Sequence, residues 1–373
     1  MKITRTGGAA RLAGWGALAL VGALALSSCA ANEPGGSNDN GSPQASGLSG
    51  TLVGAGASSQ QSAQEAWVAA FQIANNDVTV EYDPVGSGGG RDTFIAGGSQ
   101  FAGSDRAFTV DEIAADNFAA CVPGTGIIEI PAYISPIAII FQLDGIESLN
   151  MDAATIAGIF TGKITNWNDE AIAAQNEGVE LPDLQITAVH RGDDSGTTAN
   201  FTDYLSVTAG DIWTAGSVEP WPTEYGGEAA NQTSGVVDAV TNGTGTIGYA
   251  DASRAGGLGT VAVKVGDAYV PYSPEAAAAI VDASPLETGR GEFDFAVALE
   301  RDSTASGVYP IVLISYLIAC TEYAEGAPVD LVKEYLSYVV SVEGQATAQE
   351  AAGSAPISET LRADAVAAIA AIK

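Results

Sequence analysis

Positive charge is scarce in this sequence. Only 14 of its 373 residues are Lys or Arg, against 45 Asp and Glu, and the formal net charge is −31. So acidic a chain repels polyanions, which excludes nucleic-acid binding through a general field. Any anion it holds must be met by local donors. Histidine occurs once, as His190, and the three cysteines, Cys29, Cys121 and Cys320, lie far apart. A zinc site needs three or four clustered ligands of these types, so no metal is expected. Cofactor and nucleophile motifs are missing too. Gly86-Ser87-Gly88-Gly89-Gly90 is not a dinucleotide fingerprint, because the third glycine position falls on Arg91. Gly162-Lys163 lacks the P-loop's first glycine, since Ala157 stands there, and Ile164 replaces the required Ser or Thr. Ser195 has no Gly-x-Ser-x-Gly frame, and His190 is only five residues before it at a strand end. No cofactor and no enzymatic activity are expected. After residue 26 no apolar run is long enough to cross a bilayer; Ile134 to Leu143 reads as a buried strand.

What is present begins with an export signal. Lys2, Arg5 and Arg11 precede an apolar stretch from Leu12 to Leu26, then Ser27, Ser28 and Cys29. Residues 1–28 read as a secretory signal. The run Leu26-Ser27-Ser28-Cys29 resembles the bacterial lipobox, whose cysteine receives lipid; an ordinary cleaved signal is the alternative. Residues 29–48 then hold the lipidated Cys29 and a tether of Ala, Asn, Gly, Ser and Pro without apolar periodicity. In an oxidising exterior, Cys121 and Cys320 form either one disulfide or two separate buried thiols.

With 46% hydrophobic residues, the remaining length suggests about two lobes. Leu52-Val53 reads as a strand, and Ala63, Trp67, Ala70, Phe71 and Ala74 mark one face of a helix. Val78, Val80 and Tyr82 alternate as in a strand. A glycine-rich turn then leads into a short helix around Asp92 to Ala96. Similar β-loop-α units recur at Ile186 to His190 with Ser195 to Leu205, and around Val236 to Tyr249. Tyr309 to Leu317 reads as a long strand, with helices at Leu331 to Val340 and Ser358 to Ile372. The repetition predicts an α/β fold with a largely parallel sheet.

Three short segments carry the chemistry: Gly54-Ala55-Gly56-Ala57-Ser58-Ser59, Gly86-Ser87-Gly88-Gly89-Gly90, and Arg191-Gly192-Asp193-Asp194-Ser195-Gly196-Thr197-Thr198. Each follows a predicted strand and opens a predicted helix. Glycine lets the backbone approach a ligand, and a helix N-terminus offers unpaired N–H groups and partial positive charge. Ordinary helix capping explains any one of them. Three of one kind beside a lone arginine point to an enclosed oxyanion.

These segments resemble the phosphate-specific solute-binding proteins of bacterial ABC importers, over roughly Gly50 to Lys373. Gly103-Ser104-Asp105, Ile159-Phe160-Thr161-Gly162-Lys163-Ile164-Thr165-Asn166-Trp167-Asn168-Asp169, Gly245-Thr246-Ile247-Gly248-Tyr249 and Tyr309-Pro310-Ile311 support the likeness. The alanine- and glycine-rich style and the lipobox resemble actinobacterial members. The resemblance implies phosphate binding by Ser58, Ser59, Ser87, Asp105, Arg191, Ser195, Gly196 and Thr197, with Asp193 holding Arg191. Asp105 matches the carboxylate that accepts a hydrogen bond from protonated phosphate; sulfate has no proton to donate and would leave that carboxylate facing an oxygen. Another protonated oxyanion, such as arsenate, or a sensor role is the alternative reading, with a phosphatase on the same scaffold behind it.

The chain departs from its relatives twice. Ser59-Gln60-Gln61-Ser62 stands where many have aromatic and proline residues, so the apolar wall there is in doubt. Arg106-Ala107 stands where many have Ala-Pro, and Arg106 reads either as positive charge near the mouth or as a surface arginine. The implied fold is a type II periplasmic-binding-protein fold with two crossover hinge strands, near Ile130 to Ile137 and Gly245 to Asp251. One lobe takes 49–132 plus 252–373 and the other 133–251. The implied partners are inorganic phosphate, the importer's membrane subunits and, through lipid, the outer face of the cytoplasmic membrane. The chain itself is expected to be a monomer.

Overall fold

The computed structural model describes residues 47–373. The signal at 1–28, Cys29 and nearly all of the tether lie outside the described residues.

The chain runs β1 (Gly50–Gly56), α1 (Gln61–Ala74), β2 (Val78–Asp83), α2 (Ser87–Ile95), β3 (Phe101–Ser104), α3 (Val110–Ala114) and β4 (Ile127–Phe141). It continues through β5 (Ser148–Met151), α4 (Ala153–Phe160), α5 (Glu170–Ala173), β6 (Thr187–Arg191), α6 (Gly196–Thr208), β7 (Glu228–Ala230), α7 (Gln232–Asn242) and β8 (Thr246–Asp251). The last part holds β9 (Gly259–Val265), β10 (Ala268–Val270), α8 (Pro274–Ala283), β11 (Val312–Cys320), α9 (Val329–Val340), α10 (Val342–Ala352) and α11 (Glu359–Ala371).

The molecule has two lobes, and β4 belongs to both. Every residue of this 15-residue strand is buried, as expected of a strand covered on both faces. Residues Ile127 to Pro136 pair with β11, which continues through β3 and β1 to β2. Residues Ile137 to Phe141 pair with β8, which continues through β6 to β7. The change of partner at Pro136 and Ile137 falls at the crossing expected from the sequence. β8 lies beside it, and Tyr133 of β4 donates to Asp251 of β8 at 3.0 Å, tying the two crossover strands together.

The sheet is mixed where a largely parallel one was expected. β1 runs parallel to β2 and β3, and β6 parallel to β7 and β8. The centre, β3-β11-β4-β8, is antiparallel throughout. Local β-loop-α spacing reports the flanks but not how a late strand such as β11 inserts between early ones. β9 pairs with β5 and with the end of β4, and β10 pairs with β9. Residues 259–270 therefore extend the sheet that carries β8, although 252–373 was expected with the other lobe.

Helix α2 starts at Ser87, inside the glycine run, rather than near Asp92. Glycine is a poor helix former, but here close approach decides. A Cβ on Gly90 would lie 2.3 Å from the Cα of Gly56. Only glycine at 90 lets α2 come against the end of β1, and Gly86 N–H then donates to Gly56 carbonyl at 2.9 Å.

Cys121 and Cys320 are joined, with Cα atoms 5.3 Å apart and a separation of 199 positions in sequence. Cys320 ends β11 and Cys121 bridges to Tyr323 just beyond it, so the bond does not span the cleft. Closing so long a loop removes much chain entropy from the unfolded state, about 5 kcal/mol in the loop-closure account. Replacing both cysteines by alanine should lower the melting temperature by roughly 5–10 °C while leaving ligand affinity unchanged. Scanning calorimetry and a binding titration on the same sample check both halves of that expectation.

Candidate functional site

The three glycine-containing loops converge on Asp105. β1 ends at Gly56, and the chain turns through a short 3-10 segment, Ser58–Gln60, into α1. Ala57 N–H donates to Gly103 carbonyl at 2.8 Å, which pins this loop beside the end of β3. Asp105 follows β3 directly and is only 3% exposed. Its Oδ1 accepts from the Ser59 hydroxyl and from the Ser315 hydroxyl, both at 2.6 Å. Its Oδ2 accepts from the Thr197 hydroxyl at 2.9 Å. Its backbone N–H donates to Ser87 Oγ at 3.1 Å, and its carbonyl accepts from Asn200 Nδ2 at 2.6 Å.

Burial is the largest influence on this carboxylate and pushes its pKa up. The hydroxyls of Ser315, Ser59 and Thr197 and the charge of Arg191 oppose that push without cancelling it.

Loop three arrives from the other lobe. Ser195 caps α6 by accepting from Thr198 N–H at 3.2 Å, so its hydroxyl does what a helix cap does. Gly196 packs against the first lobe, where an added Cβ would meet Ser87 Oγ at 2.6 Å and Asp105 Cβ at 2.8 Å. Gly88 N–H donates across to Asp194 carbonyl at 3.1 Å. Arg191 is 2% exposed, and Asp193 grips its guanidinium through Nε at 2.8 Å and through Nη2. Burial alone would raise the Asp193 pKa, but Arg191 and the Gln232 N–H hold it below the usual carboxylate range. His190 stacks on Trp221 with ring centres 4.7 Å apart and is a packing residue.

The structure therefore gathers Ser59, Ser87, Asp105, Gly196 and Thr197 into one hydrogen-bonded or touching cluster, with Arg191 and Asp193 beside it. Ser58 is turned to the N-terminus of α7, accepting from Thr233 N–H at 3.0 Å. Four participants were not singled out from the sequence: Ser315, Thr233, Asn200 and Gln60. At Gln60, where the sequence put the apolar wall in doubt, the structure has a buried polar chain. Its Nε2 donates to Ser315 Oγ at 2.5 Å, and its Oε1 accepts from Gln64 at 2.8 Å. Gln64 in turn accepts from the Tyr335 hydroxyl at 2.7 Å. A cavity of about 510 Å³ borders Asp105 and is lined from both lobes, by Arg106, Arg290 and Arg301 and by Asn200 and Asp203. Arg106 is neither a free charge at the mouth nor a surface arginine: it pairs with Glu112 at 2.8 Å and with Glu219 at 2.8 Å. Among the described residues no group of three or more His, Cys, Asp or Glu is placed to hold a metal.

Two lobes on crossover strands, closing polar loops around a buried cluster, define a solute-binding protein. A family model described as a PBP superfamily domain matches residues 41–343. Phosphate-binding protein PstS 3 of Mycobacterium tuberculosis is 32% identical over 351 residues, covering 91% of this chain and 92% of that protein. The Mycobacterium leprae PstS 3 is 34% identical over 300 residues, covering 78% and 79%. The chain belongs to this family of PstS phosphate-binding proteins within the PBP superfamily. Among solved structures, a phosphate-binding protein from Stenotrophomonas maltophilia matches with TM-score 0.64 and 20% identity, covering 85% of this chain and 93% of that one. A periplasmic phosphate-binding protein solved with phosphate bound matches at TM-score 0.63 and 20% identity, over 85% and 93%. At that identity the two structures speak to fold.

The contact at Gly196 gives a direct test of how tightly the loops meet. Gly196→Ala places a methyl group between Ser87 and Asp105, and should hold the lobes apart. Small-angle scattering should then show a larger radius of gyration than for the native protein; an unchanged profile would mean that the loops do not set the closure.

Proposed function

We propose that the chain binds inorganic phosphate in the cleft and delivers it to the membrane-embedded subunits of an ABC importer. The observation that carries this reading is the buried carboxylate of Asp105, ringed by hydroxyl donors from both lobes beside Arg191. Relatives named as phosphate-binding proteins support it.

The chemistry turns on counting protons. Each hydroxyl around Asp105 carries one, and each now gives it to the carboxylate. As Ser59 and Thr197 turn to phosphate oxygens, Asp105 loses two donors. Hydrogen phosphate brings a proton of its own and restores one. Sulfate restores none and leaves a buried carboxylate against an oxygen, at a cost of several kcal/mol. Arg191, oriented by Asp193, presents a planar guanidinium that bonds two oxygens at once. Backbone N–H groups at the start of α6 and of the Ser58–Gln60 turn supply the remaining donors. Ser58, Ser87 and Ser195 belong to the same wall in this reading. The anion needs donors from both lobes, so binding favours the closed arrangement.

We place 49–136 and β11 onward in the first lobe, and 137–251 with β9 and β10 in the second. Export through the 1–28 signal and lipid attachment at Cys29 would hold a monomer on the outer face of the cytoplasmic membrane.

Titration calorimetry should show phosphate bound at least 100-fold more tightly than sulfate. Equal affinities remove the role given to Asp105, and binding of neither removes the reading altogether. Arg191→Ala should cost phosphate about 3 kcal/mol. The upward push on the Asp105 pKa has a definite sign: below its folded pKa the carboxyl is protonated and becomes a donor. Sulfate, which does not titrate in this range, should therefore bind increasingly as pH falls, starting above the ordinary carboxylate range. In Asp105→Asn sulfate affinity should be higher at neutral pH and independent of pH. A native sulfate affinity that stays flat between pH 7 and 4 would contradict this account.

A further inference from the structure

We infer that Glu219 is a latch for the closed cleft: a positioning residue that acts on the anion site only through two arginines of the opposite lobe. The inference rests on the proposed phosphate function, which it deepens.

Glu219 lies in the segment between α6 and β7, and its neighbours are fastened to the second lobe. Ser217 Oγ donates to Ala199 carbonyl at 3.2 Å, Val218 N–H donates to Thr202 Oγ1 at 2.9 Å, and Trp221 stacks on His190. Its Oε2, however, reaches the first lobe, accepting from Arg91 Nη2 at 2.6 Å and from Arg106 Nε at 2.8 Å. Both arginines hold the anion loops. Arg91 stands one helical turn after Ser87 on α2 and donates through Nη1 to Ser104 Oγ at 2.8 Å. Ser104 Oγ donates to Arg106 carbonyl at 2.6 Å. Ser104 and Arg106 are the two residues flanking Asp105.

The side chains of Arg91 and Glu219 are only 5% and 12% exposed. Each arginine keeps a partner on its own lobe: Arg106 has Glu112 at 2.8 and 3.0 Å, and Arg91 has Ser104. Glu219 has none. Its other oxygen, Oε1, is buried without a hydrogen-bond partner among the described residues. Opening the cleft would thus leave the arginines in place and return Glu219 to water. Its carboxylate is the moving half of the contact, and it lies against the very segments that carry Ser87 and Asp105.

The test uses Glu219→Gln, which keeps the shape and removes the charge. Phosphate release, followed by stopped flow, should speed up about 10-fold or more. Association should not slow, because a negative charge has been removed. Spin labels at Ile73→Cys on α1 and Val207→Cys on α6, both exposed in the native chain, report the distance between lobes. The variant should show a larger open fraction with and without phosphate. Arg106→Gln should reproduce the shift, and the double variant should add little to either alone. Unchanged release and distances in Glu219→Gln, or fully additive effects, would overturn the latch. If the native chain binds no phosphate, the phosphate reading fails, and the latch is judged on the ligand-free distances alone.

Discussion

A carboxylate shut away from water must be satisfied by protein donors or it will not stay charged. Asp105 is in that position, and much of the architecture can be traced from it. Its three hydroxyl donors come from the turn before α1, from the middle of β11 and from the first turn of α6. The β4–β11 register shifts between Ser315 and Tyr316, right at the serine that bonds Asp105, and irregularities of this kind commonly re-aim a side chain. Gly196 lacks a side chain where α6 comes against Ser87 and Asp105. The placement of β11 between β3 and β4 is what brings Ser315 into a site whose other members lie between Ser58 and Thr233.

A protein with a net charge of −31 does not attract an anion from a distance. The structure answers this by spending its few cations around the cleft, each already matched. Arg91, Arg106, Arg191, Arg290 and Arg301 are all ion-paired with acids. The cleft therefore presents no bare cation cluster. Its donors are fixed N–H groups, hydroxyls and one oriented guanidinium, which are specific in direction but weak at range. In the proposed reading such a site would select by hydrogen-bond pattern, and the burden of discrimination would fall on Asp105.

The parts of the site that are legible in the sequence are those whose chemistry is local. A strand, a glycine and a serine or threonine at a helix start lie within a few residues of one another, so loops one and three could be read directly. Ser315 could not, because it sits in the apolar run of β11 and reads as a core residue of a buried strand. Gln60 and Thr233 are ordinary polar residues until the fold brings partners from 255 and 175 positions away. Glu219 is one acid among 45 acidic residues, and only the tertiary structure separates it from a solvated face. The antiparallel centre was hidden for the same reason. The start of α2 was obscured differently: glycine's low helix propensity argues for a turn, and the close approach of Gly90 to Gly56 overrides it.

Closure in a receptor of this kind has to be conditional. Contacts between the lobes that were strong on their own would close the cleft empty, and the ligand would then find no entrance. Contacts that were too weak would leave the anion to supply the whole closing free energy, and its apparent affinity would fall by the fraction of molecules in the competent state. The cross-cleft contacts seen here suit the middle ground. Gly88 with Asp194 and Asn200 with Asp105 are single hydrogen bonds, each of modest net worth. Glu219 gains two charged partners on closing but carries a buried oxygen with none, so desolvation offsets much of its attraction. Where such terms nearly cancel, the few kcal/mol from an anion held by both lobes would be enough to decide the state.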